Sequence, residues 1–262
     1  MAGLLGDPKI FAFPKPSELI RHLIQYLNPD QTFTVLDFFA GSGSTGEAVK
    51  AENASDGGTR RFILVQLPEP VDASDADQKA AAEFCDSLGK AKNIAELTKE
   101  RLRRAAKKAK EETTMFSGDL GFRVFKLASS NIRAWEPNRD DLPKTLEESV
   151  EHLKGDRTEP DILFELLLKL GLDLTLPMEQ KTIAGKIVHS IGVGSLLACM
   201  AEKIPTSEVE TLALGIVAWH KALSPAGDTT IIFRDSAFTD DVAKTNLTAI
   251  LQQHGLENVR SL

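Results

Sequence analysis

The period of the apolar positions changes several times along the chain, and each change marks an element. Leu19, Ile20, Leu23, Ile24 and Leu27 recur at helical spacing behind Ser17, which predicts a capped helix over Ser17–Leu27, stopped by Asn28-Pro29-Asp30. Thr34-Val35-Leu36-Asp37-Phe38-Phe39 is a short β-prone run that breaks into a glycine turn at 41–46, with helix following. Arg61-Phe62-Ile63-Leu64-Val65-Gln66-Leu67 is almost continuously apolar, as buried parallel strands are, and Pro68 and Pro70 end it. Strand, helix and strand predict one crossover unit.

Helices are expected over 76–87 and 93–112, then a third strand over 121–127, where Phe122, Val124, Phe125 and Leu127 recur. From 131 to 155 the chain turns polar, and a domain boundary is placed there at about Pro137. Beyond it the pattern predicts a helix over 161–170 and strand-like runs at 182–188 and 191–198. A helix opened by a Ser207-x-x-Glu210 capping box, a strand over 229–233 and a closing helix over 240–254 ended by Gly255 follow.

At 262 residues, with 31 Lys and Arg against 38 Asp and Glu, the chain has the composition of a globular protein; disorder, collagen and coiled coil are excluded as descriptions of the whole. The length suggests two domains, each large enough to bury its own core. No run approaches the ~20 apolar residues of a membrane helix. Cys85 and Cys199 lie far apart in helical or buried contexts and read as reduced thiols of a cytoplasmic protein. A formal charge of −7 opposes nonspecific coating of DNA without excluding one basic patch.

Chemistry concentrates at Gly41-Ser42-Gly43-Ser44-Thr45-Gly46, which fits the spacing of dinucleotide-binding turns and lies between a predicted strand and helix. Glu47 follows where a P-loop carries lysine, which argues against a nucleoside triphosphate. About 20 residues beyond the glycines, where an acid would hold a ribose, stands Gln66, with Glu69 after Pro68. Asp37, at the exit of the strand, would repel a pyrophosphate and attract a cation. S-adenosylmethionine, with its sulfonium and α-ammonium groups, is such a ligand. On this reading Gly41 and Gly43 let the backbone curl beneath its amino-acid part and present N–H groups, while Phe39 packs on the adenosine. The same glycines also suit a tight strand-to-helix turn with no ligand, and both readings stay open.

The run from Asp37 through Gly46 resembles the cofactor motif of amino-methyltransferases that act on adenine in DNA, especially the modification (Mod) subunits of type III restriction–modification systems. Phe13-Pro14-Lys15-Pro16-Ser17-Glu18-Leu19-Ile20 resembles the segment that precedes the glycine motif in the circularly permuted, β-class members. Arg60-Arg61, then Phe62 through Glu69, Gly121 through Leu127 and Phe233 through Phe238 extend the likeness over nearly the whole chain. The resemblance implies an α/β fold: a Rossmann-like S-adenosylmethionine-dependent half-domain over 1–136 and a second α/β assembly domain over 137–262. It also implies a cofactor pocket of Lys15, Pro16, Asp37, Phe39, Ala40, Gly41, Ser42, Gly43 and Gln66, and as partners DNA and the restriction (Res) subunit, with homodimerisation open.

Amine-methylating members need an Asp/Asn/Ser-Pro-Pro-aromatic segment that holds the target amine and stacks on the flipped base. This chain has no Pro-Pro dipeptide, and its single tyrosine, Tyr26, lies in the first predicted helix. No catalytic residue is therefore assigned. In the β-class order the catalytic and target-recognition segments come first, so the chain is expected to be the C-terminal part of a larger subunit that lacks its N-terminal half. The alternative is a noncatalytic assembly module of the restriction–modification complex with a vestigial pocket.

Seven cations between Lys99 and Lys110 crowd one predicted helix; a solvated face is the commoner explanation and DNA contact the sharper one. The five histidines show no metal-ligand spacing. Arg234-Asp235-Ser236 has no local histidine or nucleophile elbow and reads as a structural connection. The apolar content of the second domain, including Leu163, Leu166, Leu167, Ile216, Val217 and Trp219, suggests subunit assembly by resemblance, or simply a core.

Overall fold

The computed structural model describes residues 2–11, 13–27, 31–113, 117–134, 140–141 and 153–262. The fold is mixed α/β, and the chain divides into two compact units, Met1–Arg123 and Val124–Leu262. Pro137 and the stop at Asn28-Pro29-Asp30 lie outside the described residues.

In the first unit α1 (Ser17–Leu27) precedes β1 (Thr34–Asp37), α2 (Ser44–Asp56) and β2 (Arg61–Leu64). The strands run parallel, with Leu36 opposite Ile63 and Asp37 opposite Leu64. Period-two alternation sends Val35 and Phe62 inward, where they pack with Ile20 and Ile24 of α1 and Ala48 and Val49 of α2. Leu36, Ile63 and Val65, of opposite parity, remain about half exposed. Ser17 is the first residue of α1 rather than its cap, and its hydroxyl donates to Glu47 instead.

Next come α3 (Lys79–Ser87) and α4 (Ile94–Glu112), whose start is fixed by Asn93, its side chain accepting from the Glu96 N–H. Leu97 of α4 joins Ala81, Ala82 and Cys85 of α3, with Ile10 and Val71, in a small core.

The strand expected over 121–127 does not form. Alternation supplies a face but not a neighbour. The Leu120 and Gly121 carbonyls, which a ladder would use, accept instead from the buried Lys50 ammonium, which also lies 5.4 Å from the centres of the Phe62 and Phe122 rings.

The second unit is built on a five-stranded sheet in sequential order: β3 (Met178–Ile183), β4 (Lys186–Ile191), β5 (Leu196–Cys199), β6 (Thr230–Phe233) and β7 (Asn258–Ser261). The first three form an antiparallel meander, and β5, β6 and β7 run parallel, joined by α6 (Val209–Leu223) and α7 (Asp241–Gln253). Leu197, Cys199, Ile231 and Phe233 point to α6 and α7, whereas Leu196, Ala198 and Ile232 point to α5 (Glu159–Lys169) on the other face.

The run at 182–188 is two strands, because Ala184 and Gly185 both take positive φ and make a two-residue hairpin turn. That at 191–198 is interrupted by a turn whose Ser195 N–H donates to the Gly192 carbonyl. Ser207 is not a capping residue: α6 is entered through a 3₁₀ turn, Thr206–Glu208, with no side-chain cap. Leu163, Leu166, Leu167, Ile216, Val217 and Trp219 are buried in the two cores, so their apolarity is accounted for inside the unit.

Candidate functional site

Past the end of β1 the chain stays beside the extension of β2: the Val65 N–H donates to the Asp37 carbonyl at 2.9 Å and the Ala40 N–H to the Val65 carbonyl at 3.1 Å. It then bends, with Gly41 at φ +51° and Gly43 at φ +80°, conformations that a Cβ makes costly. The Gly43 N–H closes the bend on the Ala40 carbonyl at 2.7 Å, and α2 begins. Asp37 braces both ends, its Oδ1 accepting from the Phe39 N–H at 3.1 Å and its Oδ2 from the Thr45 hydroxyl at 2.6 Å. Both donors are neutral, and each oxygen has acceptor capacity left.

The opposite side of the bend is closed by α4. The Thr98 hydroxyl donates to the Gly41 carbonyl. Arg101, 4% exposed, donates through Nε and Nη2 to Glu47 Oε2 at 2.7 and 2.6 Å, and through Nη1 to the hydroxyls of Ser42 and Ser44 at 2.5 and 3.0 Å. The Ser44 hydroxyl in turn donates to the Lys15 carbonyl at 2.8 Å, and that of Ser17 to Glu47 Oε1 at 3.2 Å. Three separate stretches of sequence, 15–17, 41–47 and 98–101, thus meet at one turn.

This arrangement gathers most of the residues singled out in the sequence and sorts them by exposure. Phe39 is exposed, Asp37 and Gly41 are half-buried, and Ala40, Ser42 and Gly43 are buried. Lys15 and Pro16 are exposed, and Lys15 is tied to the turn through its carbonyl. Gln66 reaches in, its Oε1 accepting from the Gly41 N–H at 2.7 Å. The N–H groups of both turn glycines are therefore spent inside the protein rather than presented outward. The reason is local: a carboxamide at position 66 and a carbonyl at 40 satisfy donors that would otherwise be orphaned by the bend.

Thr98, Arg101 and Glu47 are not among the pocket residues that the sequence indicates. A signal existed: Arg101 falls on the same helical stripe as Leu97, Thr98, Leu102 and Ala105, all buried. Lys99, Arg103, Arg104, Lys107 and Lys108 pair with acids of α4 itself, at Glu96, Glu100, Glu111 and Glu112, so much of the basic run is a self-compensated face.

Chemically, the accessible part of the turn offers a carboxylate, an exposed phenyl ring and backbone. That set suits a cationic ligand with a flat apolar portion. A diphosphate would meet the Asp37 carboxylate, while the nearby Arg101 guanidinium is already committed to Glu47. At Gly41 the Phe11 ring lies 3.7 Å from the place a Cβ would take, an ordinary van der Waals contact.

Residues 4–69, which contain this turn, match the N6_N4_Mtase family model, described as DNA methylase. A little under half of the chain is similar to Mod subunits of type III restriction-modification enzymes. It is 36% identical over 126 residues to the Mod subunit of the type III restriction-modification enzyme StyLTI from Salmonella typhimurium, covering 48% of this chain and 18% of that protein. Against the EcoPI Mod subunit of Escherichia phage P1 it is 37% identical over 124 residues, 47% of this chain and 17% of the relative. It is also 41% identical over 64 residues to the type II methyltransferase M.KpnI of Klebsiella pneumoniae, 24% of this chain and 15% of that enzyme. The chain thus spans less than a fifth of the length of these Mod subunits, and the stretch that matches DNA methylase holds the glycine turn but no Pro-Pro-aromatic segment.

Proposed function

We propose that this chain supplies the cofactor-binding portion of a site-specific DNA adenine-N6 methyltransferase of the type III modification kind, in a Rossmann-like half-domain. The observation that carries the reading is Asp37: a half-buried carboxylate at the end of a parallel strand, held by neutral donors beside an exposed aromatic ring. The likeness to DNA methylase across the same residues supports it.

The cofactor of this reading is S-adenosylmethionine, which when bound supplies a methyl group activated by a sulfonium. Asp37 would hold its positively charged end, Phe39 would pack along the adenosine, and the backbone at Ala40 and Gly41 would pass beneath. Lys15, Pro16 and Gln66 border the same place, while Ser42 and Gly43 act from the buried side by fixing the bend. The sequence has no Pro-Pro-aromatic segment to hold the target amine. That task falls to a Pro-Pro-aromatic segment in the N-terminal half of a complete subunit, which would also read the DNA sequence and, with the second unit here, join the Res subunit.

Calorimetric titration of S-adenosylmethionine into the purified chain tests the reading. Saturable binding that falls at least about tenfold in Asp37→Ala is expected, since one paired charge in a partly buried site is worth ~1–3 kcal/mol. Absence of binding would favour an assembly module with a vestigial pocket.

A further inference from the structure

We propose that Arg101 is a positioning residue for the methyl donor: from α4, outside the stretch that matches the DNA methylase model, its guanidinium sets the shape of the cofactor turn without touching the ligand. The inference rests on the cofactor reading above and extends it to a residue of a different helix.

Four observations carry it. Arg101 is buried, so its charge is not there for solvent or DNA. Each arm of the guanidinium is used on the turn or on the first turn of α2: Nε and Nη2 on Glu47, Nη1 on both Ser42 and Ser44. Ser44 and Glu47 pass the constraint on to Lys15 and Ser17, so a single planar fork fixes three chain segments relative to one another. Thr98, one turn earlier on α4, holds the Gly41 carbonyl, and its methyl group lies 3.1 Å from where a Cβ of Gly43 would stand, so the helix also sets how closely the bend can approach. A buried cation that spends its donors on a strained, glycine-dependent bend is what a preorganised site requires, because side-chain hydrogen bonds from a second element hold the bend to one geometry.

A lysine in this place would keep the charge and lose the fork. One ammonium cannot span the Glu47 carboxylate and two hydroxyls in the geometry of a planar guanidinium. The conservative variant therefore separates a charge requirement from a shape requirement.

The test uses the full 262-residue chain and two readouts. Hydrogen–deuterium exchange of the unliganded protein should show, in Arg101→Met, exchange roughly tenfold faster over residues 39–47, with α3 and the second unit within about twofold of wild type. Arg101→Lys should fall between the two. Titrated with S-adenosylmethionine, Arg101→Met should bind at least about tenfold more weakly and Arg101→Lys again in between, as expected when a site is misplaced by a fraction of an ångström.

Should Arg101→Met fail to fold, Ser44→Val leaves the Arg101 to Glu47 pair intact and should loosen the same residues about threefold. Unchanged exchange at 39–47 in either variant overturns the proposal. So does uniform acceleration across the whole first unit, the signature of an arginine that only stabilises the fold. If the wild-type chain does not bind the donor, the cofactor reading fails and the donor half of this inference with it; the exchange measurement still decides whether Arg101 shapes the turn.

Discussion

Lys50 is a cation with 3% of its surface exposed, lodged between two phenyl rings and two backbone carbonyls. Burial lowers its pKa to about 8, with Asp119 opposing the shift. The direction fixes how stability responds to pH. Below pH 8 folded and unfolded chains both carry the proton, and the group adds no dependence. Between about 8 and the ordinary value of 10.5 the unfolded chain holds the proton and the folded one releases it, so stability from this group rises with pH. Measured against Lys50→Met, the wild-type unfolding free energy should gain up to roughly 3 kcal/mol from pH 7.5 to 10, on the scale of 1.36 kcal/mol per pKa unit. A gap that stays constant over that range would contradict the assigned environment. Cys199 reads the same way: burial pushes its thiol up to about 11, so it is a packing residue and not a nucleophile.

At the scale of elements, the glycine turn is a joint between β1, α2 and α4. Gly43 and Gly57 stand on either side of α2 with similar positive φ, +80° and +74°, but only Gly43 faces a neighbour, Thr98. Replacing either by alanine should cost about 1–2 kcal/mol for the left-handed backbone. Gly43→Ala should lose a further ~1 kcal/mol or more because α4 cannot move away freely. Equal losses in denaturant unfolding would mean that α4 does not press on the turn.

Much of this joint was legible in the sequence. Helical spacing placed α1 at its observed bounds, and the β-prone run, the glycines and the second apolar run gave the parallel pair and the helix between them. What the sequence did not disclose is what depends on distant partners. Arg101 sits in a run of cations whose local pattern resembles a solvated face, and only its place on the Leu97 to Ala105 stripe marks it as buried. The expected strand at 121–127 has apolar residues at alternating places but pairs with no strand among the described residues, and Lys50 takes the Leu120 and Gly121 carbonyls at its start. β7, Asn-Val-Arg-Ser, is polar and mostly exposed, so no hydrophobic period announced it. Ala184-Gly185 was overlooked because the flanking apolar residues continue across the turn.

For the whole molecule, the two units differ in how complete they are. The sheet of the second unit is covered on both faces by its own helices. Among the described residues the parallel pair of the first is covered by α1 and α2 on one face, while Leu36, Ile63 and Val65 are 50%, 55% and 47% exposed on the other. Parallel strands are ordinarily buried on both faces. In the proposed reading the N-terminal half of the subunit covers this face. Ile63→Lys should accordingly change the unfolding free energy of this chain by no more than ~0.5 kcal/mol, as for a surface site. It should abolish copurification of the chain with a coexpressed N-terminal half of a Mod subunit. A large loss of intrinsic stability would show that the face is already buried.

In the proposed function the Asp37 carboxylate, at the mouth of a small-residue turn, favours a cationic methyl donor over a diphosphate. Equilibrium dialysis with labelled S-adenosylmethionine, in the presence of a large excess of NAD or ATP, tests that preference most directly. The label should be retained, and neither nucleotide should displace it. Displacement by either one, or a label that equilibrates freely across the membrane, would contradict the proposed function.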